Sequence, residues 1–346
     1  MNGSTGRLGG ALFAIAATLL LASAGEAVAQ TVPSDLRVVA ADGQELADVR
    51  QYVGKTVVPT SPDADCFGPG NRGSGNKVTQ VGPDALSVVV EASAAKDRLR
   101  PLLLTDAFLD DGFGLGVCAI GGLVPPPSGF WYLKINHKNP NLGGSLVTVG
   151  PGTETLWYLT PTFPPGAELV LNAPARTTSG VPVRVEVLAY SDDGTPSPAA
   201  GAVVEGGSAP ATVDASGGAT VSFPQPGVPV LRASRGSDIP SQALGVCVAD
   251  PVTQCPELRG REILGTDGPD NIVGTLGADQ VRPRAGNDNI KSRAGGDLIV
   301  SRGGGADKVK CGGGKDVVEA DKKDRIGKSC EKVKGGKKAR KKGKKK

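Results

Sequence analysis

Residues 265–318 have the sequence GTDGPDNIV-GTLGADQVR-PRAGNDNIK-SRAGGDLIV-SRGGGADKVK-CGGGKDVV, in which three positions repeat together. An aspartate recurs every nine or ten residues, at Asp270, Asp279, Asp288, Asp297, Asp307 and Asp316. A glycine stands two residues before each aspartate, at Gly268, Gly277, Gly286, Gly295, Gly305 and Gly314. An aliphatic residue stands two residues after each, at Ile272, Val281, Ile290, Ile299, Val309 and Val318. The agreement at three positions exceeds what a glycine-rich composition explains, so the segment is a repeat.

The period of this repeat indicates short coils that stack on one another. In such an array each unit buries its apolar residue only against its neighbours, and the glycine permits the turn at each corner. If two repeats form one coil, Asp270, Asp288 and Asp307 make one row and the other three make a second. Strands in a ladder lie ~4.8 Å apart, so the carboxylates of a row would repel one another. A hard cation with oxygen ligands would remove that repulsion.

The stretch resembles the haemolysin-type (RTX) nonapeptide repeat G-G-x-G-x-D-x-U-x, in which U is aliphatic. The resemblance implies a parallel β-roll that holds Ca²⁺ between successive loops. The implied side-chain ligands are Asp270, Asp279, Asp288, Asp297, Asp307 and Asp316. The implied backbone ligands lie in the loops at Gly265, Gly268, Gly274, Gly277, Gly303, Gly305, Gly312 and Gly314. The loops that match the pattern best are 265–270, 274–279, 303–307 and 312–316.

Two loops depart from the family pattern. Pro283-Arg284 and Ser292-Arg293 stand where the family has Gly-Gly, and the two arginines would repel a cation or shorten a ligand set. Eight basic residues lie among the repeats: Arg282, Arg284, Lys291, Arg293, Arg302, Lys308, Lys310 and Lys315. An alternative therefore stays open, in which the roll is purely structural and basic residues neutralise the aspartates without a metal.

Residues 1–29 predict a secretory signal peptide. One early charge, Arg7, precedes an apolar run from Ala11 to Ala24, and the small-x-small end at 27–29 predicts cleavage before Gln30. The run is short for a membrane span, which takes ~20 apolar residues, and no later segment is long or apolar enough. We therefore expect a secreted protein, extracellular or associated with the cell surface, without a transmembrane segment.

The six cysteines of an exported chain are expected to form disulfides. Their order in the chain favours one local bridge in each domain, which gives Cys66–Cys118, Cys247–Cys255 and Cys311–Cys330. The third bridge would close the end of the repeat, where a terminal unit needs a cap. The degenerate segment Asp321–Ile326 fits the same capping role.

The composition favours several modest β-rich domains over one large core, because the 346 residues include 51 glycines, 27 prolines and only 4% aromatic residues. The predicted fold class is mainly β and multi-domain. We expect a small α+β domain at 32–164, an immunoglobulin-like β-sandwich at 165–250, a β-roll with its cap at 256–331, and a disordered basic tail at 332–346. The best helix candidate spans 83–95, with Pro83 and Asp84 at its start.

Three distinctive segments lie in the first unit: FGLGVCAIGG (113–122), FWYLKIN (130–136) and SLVTVGPGTETLWYLTP (145–161). Together with Cys66 and the helix, their order resembles the transcobalamin-like C-terminal domain of many exported bacterial proteins. The resemblance implies a small α+β module that binds a ligand or a surface, the ligand being cobalamin in transcobalamin-type proteins. Candidate ligand-binding residues are Trp131, Tyr132, Asn136, Trp157 and Tyr158. Core packing of the rings is the alternative, because neighbouring residues on a strand point to opposite faces.

Residues 165–250 contain six apolar segments separated by Gly, Pro and Asp turns: AELVLNAP, VPVRVEVLAYS, AGAVVEGG, ATVSF, VPVLRAS and ALGVCVAD. Short strands at such intervals are typical of a β-sandwich. The run VDASGGATVSFPQPGVPVLRAS, followed by SQALGVCV, resembles bacterial immunoglobulin-like or carboxypeptidase-regulatory-like domains. That resemblance implies a spacer module without chemistry of its own.

The last fifteen residues, Lys332 to Lys346, include ten Lys or Arg and no acid. Deleting them removes ten positive charges and changes the formal net charge from +4 to −6. Such a segment cannot bury a core, which predicts a disordered arm. The arm would hold the protein on an anionic cell-surface polymer or lipid, or act only as a solubilising tail. Export and the lack of a recognition fold make nucleic acid an unexpected partner.

The whole pattern predicts a secreted or surface-associated protein of several modules that binds Ca²⁺. One alternative is a structural or adhesion protein with a metal-free solenoid, and another is a cobalamin-type small-molecule binder acting through the first unit. An enzyme is not expected, because the one histidine, His137, lies in the polar loop NHKNPN and the aspartates belong to the repeat. We interpret His137 as a solvated loop residue.

Overall fold

The computed structural model describes residues 30–338 apart from Asp65 and Glu257. The predicted signal peptide at 1–29 and the end of the predicted tail at 339–346 lie outside the described residues. Within them the chain is mainly β, as the sequence predicts, and its strands form several sheets. Three consecutive stretches of the chain each bury, for the most part, their own cluster of apolar side chains.

The first stretch builds a four-stranded run of sheet with a helix against one face. Its elements are β1 (Val32–Val39), β2 (Glu45–Val53), β3 (Thr56–Pro59), β4 (Lys77–Gln80), α1 (Ala85–Ala95), β5 (Leu103–Thr105), β6 (Gly116–Ala119), β7 (Phe130–Ile135) and β8 (Thr153–Thr160). The strand order is β7-β8-β1-β2, with β8 and β1 parallel and the other two pairs antiparallel. Trp131 and Trp157 are buried in one cluster with Leu86 and Val89 of the helix.

Helix α1 begins where the sequence predicts. Asp84 is its N-cap: one carboxylate oxygen accepts the backbone N–H of Ser87 and the other accepts the Ser87 hydroxyl, both at 2.8 Å. This cap satisfies a donor that the first turn of a helix leaves unpaired. The prediction of a helix at 83–95 is confirmed by the observed Ala85–Ala95. Among the described residues, no helix combines the length and hydropathy needed to cross a bilayer.

The second stretch forms two four-stranded sheets and one two-stranded sheet around an apolar interior. Its strands are β9 (Glu168–Asn172), β10 (Arg176–Thr177), β11 (Val183–Tyr190), β12 (Pro196–Pro198), β13 (Val203–Glu205), β14 (Ala211–Thr212), β15 (Gly218–Val221), β16 (Val230–Ser234), β17 (Leu244–Gly245) and β18 (Cys247–Val248). One four-stranded sheet joins β12-β11-β15 with β9 also paired to β11, and the other runs β14-β13-β16-β17. Strands β10 and β18 pair in parallel as the two-stranded sheet. Alternate residues of β11 are buried, including Val185 and Val187. All six predicted apolar segments contain observed strands, which confirms their assignment as β.

The third stretch contains the aspartate repeat and forms two ladders of parallel strands. Its strands are β19 (Glu262–Leu264), β20 (Asn271–Val273), β21 (Gln280–Arg282), β22 (Asn289–Lys291), β23 (Leu298–Ser301), β24 (Lys308–Lys310), β25 (Val317–Ile326) and β26 (Lys332–Lys338). One ladder runs β20-β22-β24 and the other β19-β21-β23-β25, with partners 18 or 19 residues apart. Strands two repeats apart are therefore neighbours, as the two-repeat interpretation predicts. The six repeat aliphatics are 0–1% exposed and pack in one cluster.

The first coil of the repeat is joined to the first stretch. Strand β19 pairs in parallel with β2, so one sheet runs through both. The Gln51 side-chain amide donates to the Gly265 carbonyl at 3.0 Å, and the Tyr52 phenol oxygen accepts the Val273 N–H at 2.9 Å. The terminal coil of such an array must be capped, and an unpaired strand edge can pair with another chain. Strand β2 caps the first coil and pairs with its edge strand. The sequence predicts separate domains here and gives no sign of a continuous sheet.

The other end of the repeat is covered by β25 and β26. Strand β25 pairs with β23 through its first residues and with β24 through Arg325 and Ile326, so it passes from one ladder to the other. Strand β26 continues beside it, with Val333 opposite Val318. The prediction of disorder from Lys332 onward is therefore wrong over Lys332–Lys338. The open edge of β25 supplies backbone partners and Val333 packs on the aliphatic stack, which outweighs repulsion among the lysines.

The three predicted disulfides are confirmed. The bridges Cys66–Cys118, Cys247–Cys255 and Cys311–Cys330 join Cα atoms 5.1, 5.7 and 5.0 Å apart, within the usual range for this bond. Cys311 and Cys330 are buried among the aliphatic residues of the repeat. The third bridge therefore closes the last coil, in the place that the sequence predicts.

Tyr52→Ala should destabilise the repeat although the residue lies outside it. The change leaves a cavity beside the aliphatic stack and removes the acceptor of the Val273 N–H, a loss of about 3–5 kcal/mol. Hydrogen exchange of the β20 and β22 amides measures it. Tyr52→Phe keeps the ring and loses only the hydrogen bond, about 1–2 kcal/mol. Unchanged protection of both strands in Tyr52→Ala would show that β2 does not cap the repeat.

Candidate metal centre

Seven aspartates occupy the corners of the repeat, and all of them are buried. They are 0–2% exposed: Asp270, Asp279, Asp288, Asp297, Asp307, Asp316 and Asp324. Oδ1 of Asp288 accepts the backbone N–H of Asp270 at 2.9 Å, and Oδ1 of Asp307 accepts that of Asp288 at 2.9 Å. In the second row, Asp297 and Asp316 make the same contact to the preceding coil at 2.9 and 3.0 Å. Successive coils are thus tied together by charge-assisted hydrogen bonds.

Each row ends on an acid that lies outside the six predicted repeats. Oδ1 of Asp324 accepts the Asp307 N–H at 3.1 Å, and Oε2 of Glu331 accepts the Asp316 N–H at 2.9 Å. Both acids stand two residues before an aliphatic residue that packs on the stack. The acid-x-aliphatic signal of the repeat therefore continues into the cap, where its glycines are missing.

The six predicted ligands fall into two groups, according to whether the second carboxylate oxygen, Oδ2, accepts a hydrogen bond. In Asp270 and Asp279, Oδ2 accepts a backbone N–H at 2.6 Å, from Thr266 and Thr275 respectively. In the other four, Oδ2 is buried and has no hydrogen-bond partner within the described part of the chain: Asp288, Asp297, Asp307 and Asp316. One unpaired buried polar atom costs about 1–3 kcal/mol, and more when it is charged. These four oxygens therefore need a partner.

Burial also makes these carboxylates hard to ionise. It raises the pKa of Asp288 to about 7, and other acids of the row add to the rise. Burial likewise raises the pKa of Asp316 to about 6. Burial is also the main reason why the pKa values of Asp270, Asp297 and Asp307 are raised. The hydroxyl of Ser292 opposes the rise at Asp297, although it makes no hydrogen bond with Oδ2 of that residue. At neutral pH the rows thus need protons or a cation.

One point in the repeat is surrounded by oxygen atoms. It is the position that a side-chain carbon would occupy at Gly304, and it lies 2.9 Å from the Arg284 carbonyl oxygen, 3.4 Å from that of Gly286 and 3.5 Å from Oδ2 of Asp307. All three atoms are acceptors, and calcium binds such oxygens at about 2.3–2.6 Å. Inward shifts of about 1 Å or less would make them part of a coordination shell, so the residues present fit a calcium ion. Gly304 is not among the loop glycines that the repeat pattern predicts as ligands.

The predicted loop glycines mark the places where neighbouring coils touch. At six of them an added side-chain carbon would lie 2.4 Å or less from a backbone atom of the adjacent coil: Gly265, Gly274, Gly277, Gly305, Gly312 and Gly314. Gly268 and Gly303 have no such contact. The loops also hydrogen-bond to one another directly, as from Gly305 N to Gly286 O at 2.6 Å. Close backbone approach therefore requires glycine at these six positions, with or without an ion.

The two loops that lack Gly-Gly keep a glycine-like backbone. Arg284 and Arg293 have φ angles of 73° and 77°, in the left-handed region that non-glycine residues adopt uncommonly. The Arg284 guanidinium turns to Glu91 on α1 at 2.8 Å and to Asp267 at 2.9 Å. Its charge is thus paired with acids outside the two rows, and the pair with Glu91 links the helix to the repeat.

Three of the five predicted ligand-binding residues meet elsewhere, in one cavity of the first stretch. Trp131, Tyr132 and Trp157 line this cavity, whose volume is about 730 Å³. Tyr158 is buried in a separate apolar cluster, because alternate residues of β8 face opposite sides. Asn136 lies outside the cavity, and its side-chain oxygen accepts the N–H of Glu154 at 2.9 Å. The structure therefore does not place Asn136 and Tyr158 with the other three.

His137 is not the solvated residue that the sequence predicts. Its Nε2 lies 3.1 Å from Glu154 Oε2, its Nδ1 lies 3.1 Å from Glu168 Oε1, and its ring stacks on Tyr190 with centroids 4.1 Å apart. Burial alone would lower the pKa of His137, but the hydrogen bond and charge of Glu168 outweigh burial and raise it. The two acids come from other strands, so the local sequence gives no signal of them.

Comparison with known protein families, with curated protein sequences and with solved structures finds no match to this chain. The geometry of the repeat is therefore the basis for assigning the site. Among the described residues, no three His, Cys, Asp or Glu side chains gather into a metal-binding group. Around Gly304 one carboxylate oxygen lies beside two backbone carbonyl oxygens, a hard-oxygen donor set that suits Ca²⁺ better than a transition metal.

In calcium-free protein at about pH 8, Asp288→Asn should raise the unfolding temperature. The amide oxygen can still accept the Asp270 N–H, and burying an uncharged amide costs less than burying a carboxylate. The matched change Asp279→Asn should lower the unfolding temperature, with a loss of about 1–3 kcal/mol in the free energy of unfolding. The reason is that both Asp279 oxygens already accept hydrogen bonds, from Arg261 N and Thr275. Scanning calorimetry measures both, and a shift of the same sign in the two variants would contradict the division of the aspartates.

Proposed function

We propose that this chain is a secreted or surface-associated calcium-binding protein of several modules, with Ca²⁺ held along the aspartate rows of a parallel β-roll. The observation that carries the proposal is the set of four buried carboxylate oxygens without a hydrogen-bond partner. Carboxylates stacked at strand spacing, roughly 4.8 Å, are stable in a buried row only when something neutralises them. The loop carbonyls beside the rows would supply the other oxygen ligands that Ca²⁺ requires.

The strand pairing supports the β-roll in this proposal. Parallel partners recur after 18 or 19 residues in both ladders, and the aliphatic stack lies between them. The resemblance to RTX-type repeats implies this arrangement. The helix on a sheet in 32–164 supports a transcobalamin-like module, and the two sheets in 165–250 support an immunoglobulin-like spacer. The three disulfides support an oxidising, extracellular location.

Asp307 illustrates how the residues would work with the ion. Its Oδ1 ties two coils together by accepting the Asp288 N–H, while its Oδ2 stays free beside the carbonyls of Arg284 and Gly286. When bound, Ca²⁺ supplies two positive charges that allow the row to stay ionised at neutral pH. Extracellular calcium modules bind at ~0.1–1 mM, so the ion would act as a structural part of the repeat at such concentrations.

A metal-free roll is the alternative, and the direct hydrogen bonds between loops favour it. Without an ion, the rows need either basic neighbours or protons. Within the described residues, no Lys or Arg forms an ion pair with an aspartate of the rows, and Arg284 is paired with Glu91 and Asp267 instead. The choice is therefore between calcium and protons, which differ in their dependence on pH.

The calcium-stripped full chain should lose stability as the pH rises from about 5 to about 8. The folded pKa values of Asp288 and Asp316, about 7 and about 6, lie above the ~3.9 of an unfolded aspartate. The folded state therefore binds more protons, and this advantage is lost as the pH passes through the folded pKa values. About 5 mM CaCl₂ should restore the unfolding temperature at about pH 8 and change it little at about pH 5.

The control is the double variant Asp288→Asn/Asp316→Asn, which should respond less to pH and to calcium. MgCl₂ should restore less stability than CaCl₂, because Mg²⁺ demands a tighter and more regular oxygen shell. A stripped wild-type chain whose unfolding temperature falls with pH but ignores calcium would show that the rows exchange protons only. No dependence on either would contradict the raised pKa values as well.

A second candidate function is binding of an anionic cell-surface polymer, for which one face of the repeat provides the specific observation. Four exposed basic residues point outward from β22, β24 and β25: Lys291, Lys308, Lys310 and Arg325. Lys291 stands opposite Lys310, and Lys308 opposite Arg325, in neighbouring strands. None of the four forms an ion pair within the described part of the chain, whereas Arg282 on the other ladder pairs with Glu262 at 3.5 Å. We propose that this face and the basic tail act together.

The triple variant Lys291→Gln/Lys308→Gln/Lys310→Gln should elute from a heparin column at clearly lower salt than the wild type. The reason is that unpaired cations on one face attract a polyanion most strongly, and salt screens that attraction. The matched control Arg282→Gln/Arg302→Gln/Lys334→Gln removes the same charge from residues already paired with Glu262 or Glu319, and it should shift elution less. Equal shifts would assign binding to net charge alone.

A further inference from the structure

The cavity beside the two tryptophans gathers most of the aromatic side chains of the chain. Its volume of about 730 Å³ lies within the ~300–1,000 Å³ typical of small-molecule sites. Five of the seven phenylalanines and both tryptophans line it: Phe67, Phe108, Phe113, Phe130, Phe163, Trp131 and Trp157. The tryptophans are buried at 6% and 3% exposure, so they have a packing role, but the phenylalanines need another explanation.

Several of these phenylalanines are open to solvent. Phe113 is 71% exposed, Phe163 is 68% and Phe67 is 55%. Two ring pairs hold part of the set in place: Phe67 with Phe108 at a centroid distance of 5.6 Å, edge to face, and Phe130 with Phe163 at 5.9 Å. Contiguous exposed apolar surface of this kind marks interaction sites in soluble proteins. The exposed rings at the mouth of the cavity therefore provide a surface for contact with a ligand or a partner.

The side chains that line the cavity indicate which chemical class of ligand it binds. Among the described residues, no charged side chain lines the cavity, although 21% of the chain is charged. Its polar side chains are Tyr132, Asn139 and Asn141, and backbone groups of glycines complete it. A charged ligand would lose hydration here without gaining an ionic partner. A flat, uncharged ring compound would stack against the aromatic side chains, and a polar substituent on it would hydrogen-bond to the amide of Asn139 or Asn141.

We propose that this cavity binds an uncharged small molecule with aromatic or fused rings. The inference goes beyond calcium binding and does not depend on it, because no residue of the repeat lines the cavity. The cavity also borders β7, the last strand of its sheet, whose free edge would suit an extended peptide. The volume of the cavity and the two ring pairs that line it favour the small molecule, and the peptide is an outcome of the test.

The experiment titrates the full chain with N-phenylnaphthylamine, an uncharged aromatic probe that fluoresces in apolar sites. Because both tryptophans of the chain line the cavity, energy transfer from tryptophan to the probe reports occupancy of this site. We expect saturable binding of one probe. Phe113→Ala and Phe163→Ala should each weaken it about tenfold, equal to about 1.4 kcal/mol, by removing a ring from the mouth. Both residues are exposed, so the unfolding temperature should stay unchanged.

The matched controls are Val81→Ala and Val228→Ala, which are 82% and 67% exposed and lie outside the cavity. They should leave the affinity for the probe unchanged. An unaltered affinity in both phenylalanine variants, or equal losses in the controls, would overturn the site. If the anionic relative anilinonaphthalene sulfonate binds as tightly as the uncharged probe, the inference that the ligand is uncharged is wrong. Displacement of the probe by an apolar peptide, but not by uncharged ring compounds, would overturn the small molecule in favour of strand addition.

Discussion

The hydrogen bond from a buried aspartate oxygen to the backbone of the preceding coil is the contact on which the repeat depends. It recurs in both rows at 2.9–3.0 Å, and it fixes each corner so that the aliphatic residue two positions later faces the interior. The same geometry uses only one oxygen of each carboxylate. At Asp270 and Asp279 the backbone N–H of a threonine donates to the second oxygen. At the other four predicted ligands the second oxygen has no hydrogen-bond partner among the described residues. The cation that we propose along the rows would therefore stabilise the fold, because it would compensate for a cost that the fold itself creates.

Both ends of the repeat are closed by contacts from outside the regular pattern. At the start, β2 extends the sheet, Tyr52 reaches into the aliphatic stack, and Arg284 pairs with Glu91 of the helix. At the end, Asp324 and Glu331 terminate the two rows, and the last disulfide lies inside the final coil. The first coil is thus completed by residues more than two hundred positions earlier in the chain. The repeat is a structural extension of the first stretch, and its stability is properly measured on the full chain.

The sequence predicts what is local and periodic. The nine-residue period yields the buried aliphatics and the two parallel ladders, Asp84 yields the start of the helix, and cysteine order yields the three bridges. It does not predict contacts that depend on distant partners. Nothing near Glu262–Leu264 signals pairing with β2, and nothing near His137 signals Glu154 and Glu168. The lysine-rich composition of 332–338 points to disorder, yet the free edge of β25 orders it. Which aspartate oxygens stay unpaired depends on the side chains and turns around each corner, which the repeat pattern does not specify.

The most direct test of a calcium-stapled repeat is to locate the ion. Crystals of the full chain grown with CaCl₂, then soaked in a terbium salt, would give anomalous difference peaks wherever a hard cation replaces calcium. We expect peaks about 2.3–2.6 Å from the free oxygens of the aspartate rows, including one beside Asp307 and the carbonyls of Arg284 and Gly286. Well-ordered rows without any peak, with the same oxygens bound to water or to one another through protons, would contradict calcium binding by the rows.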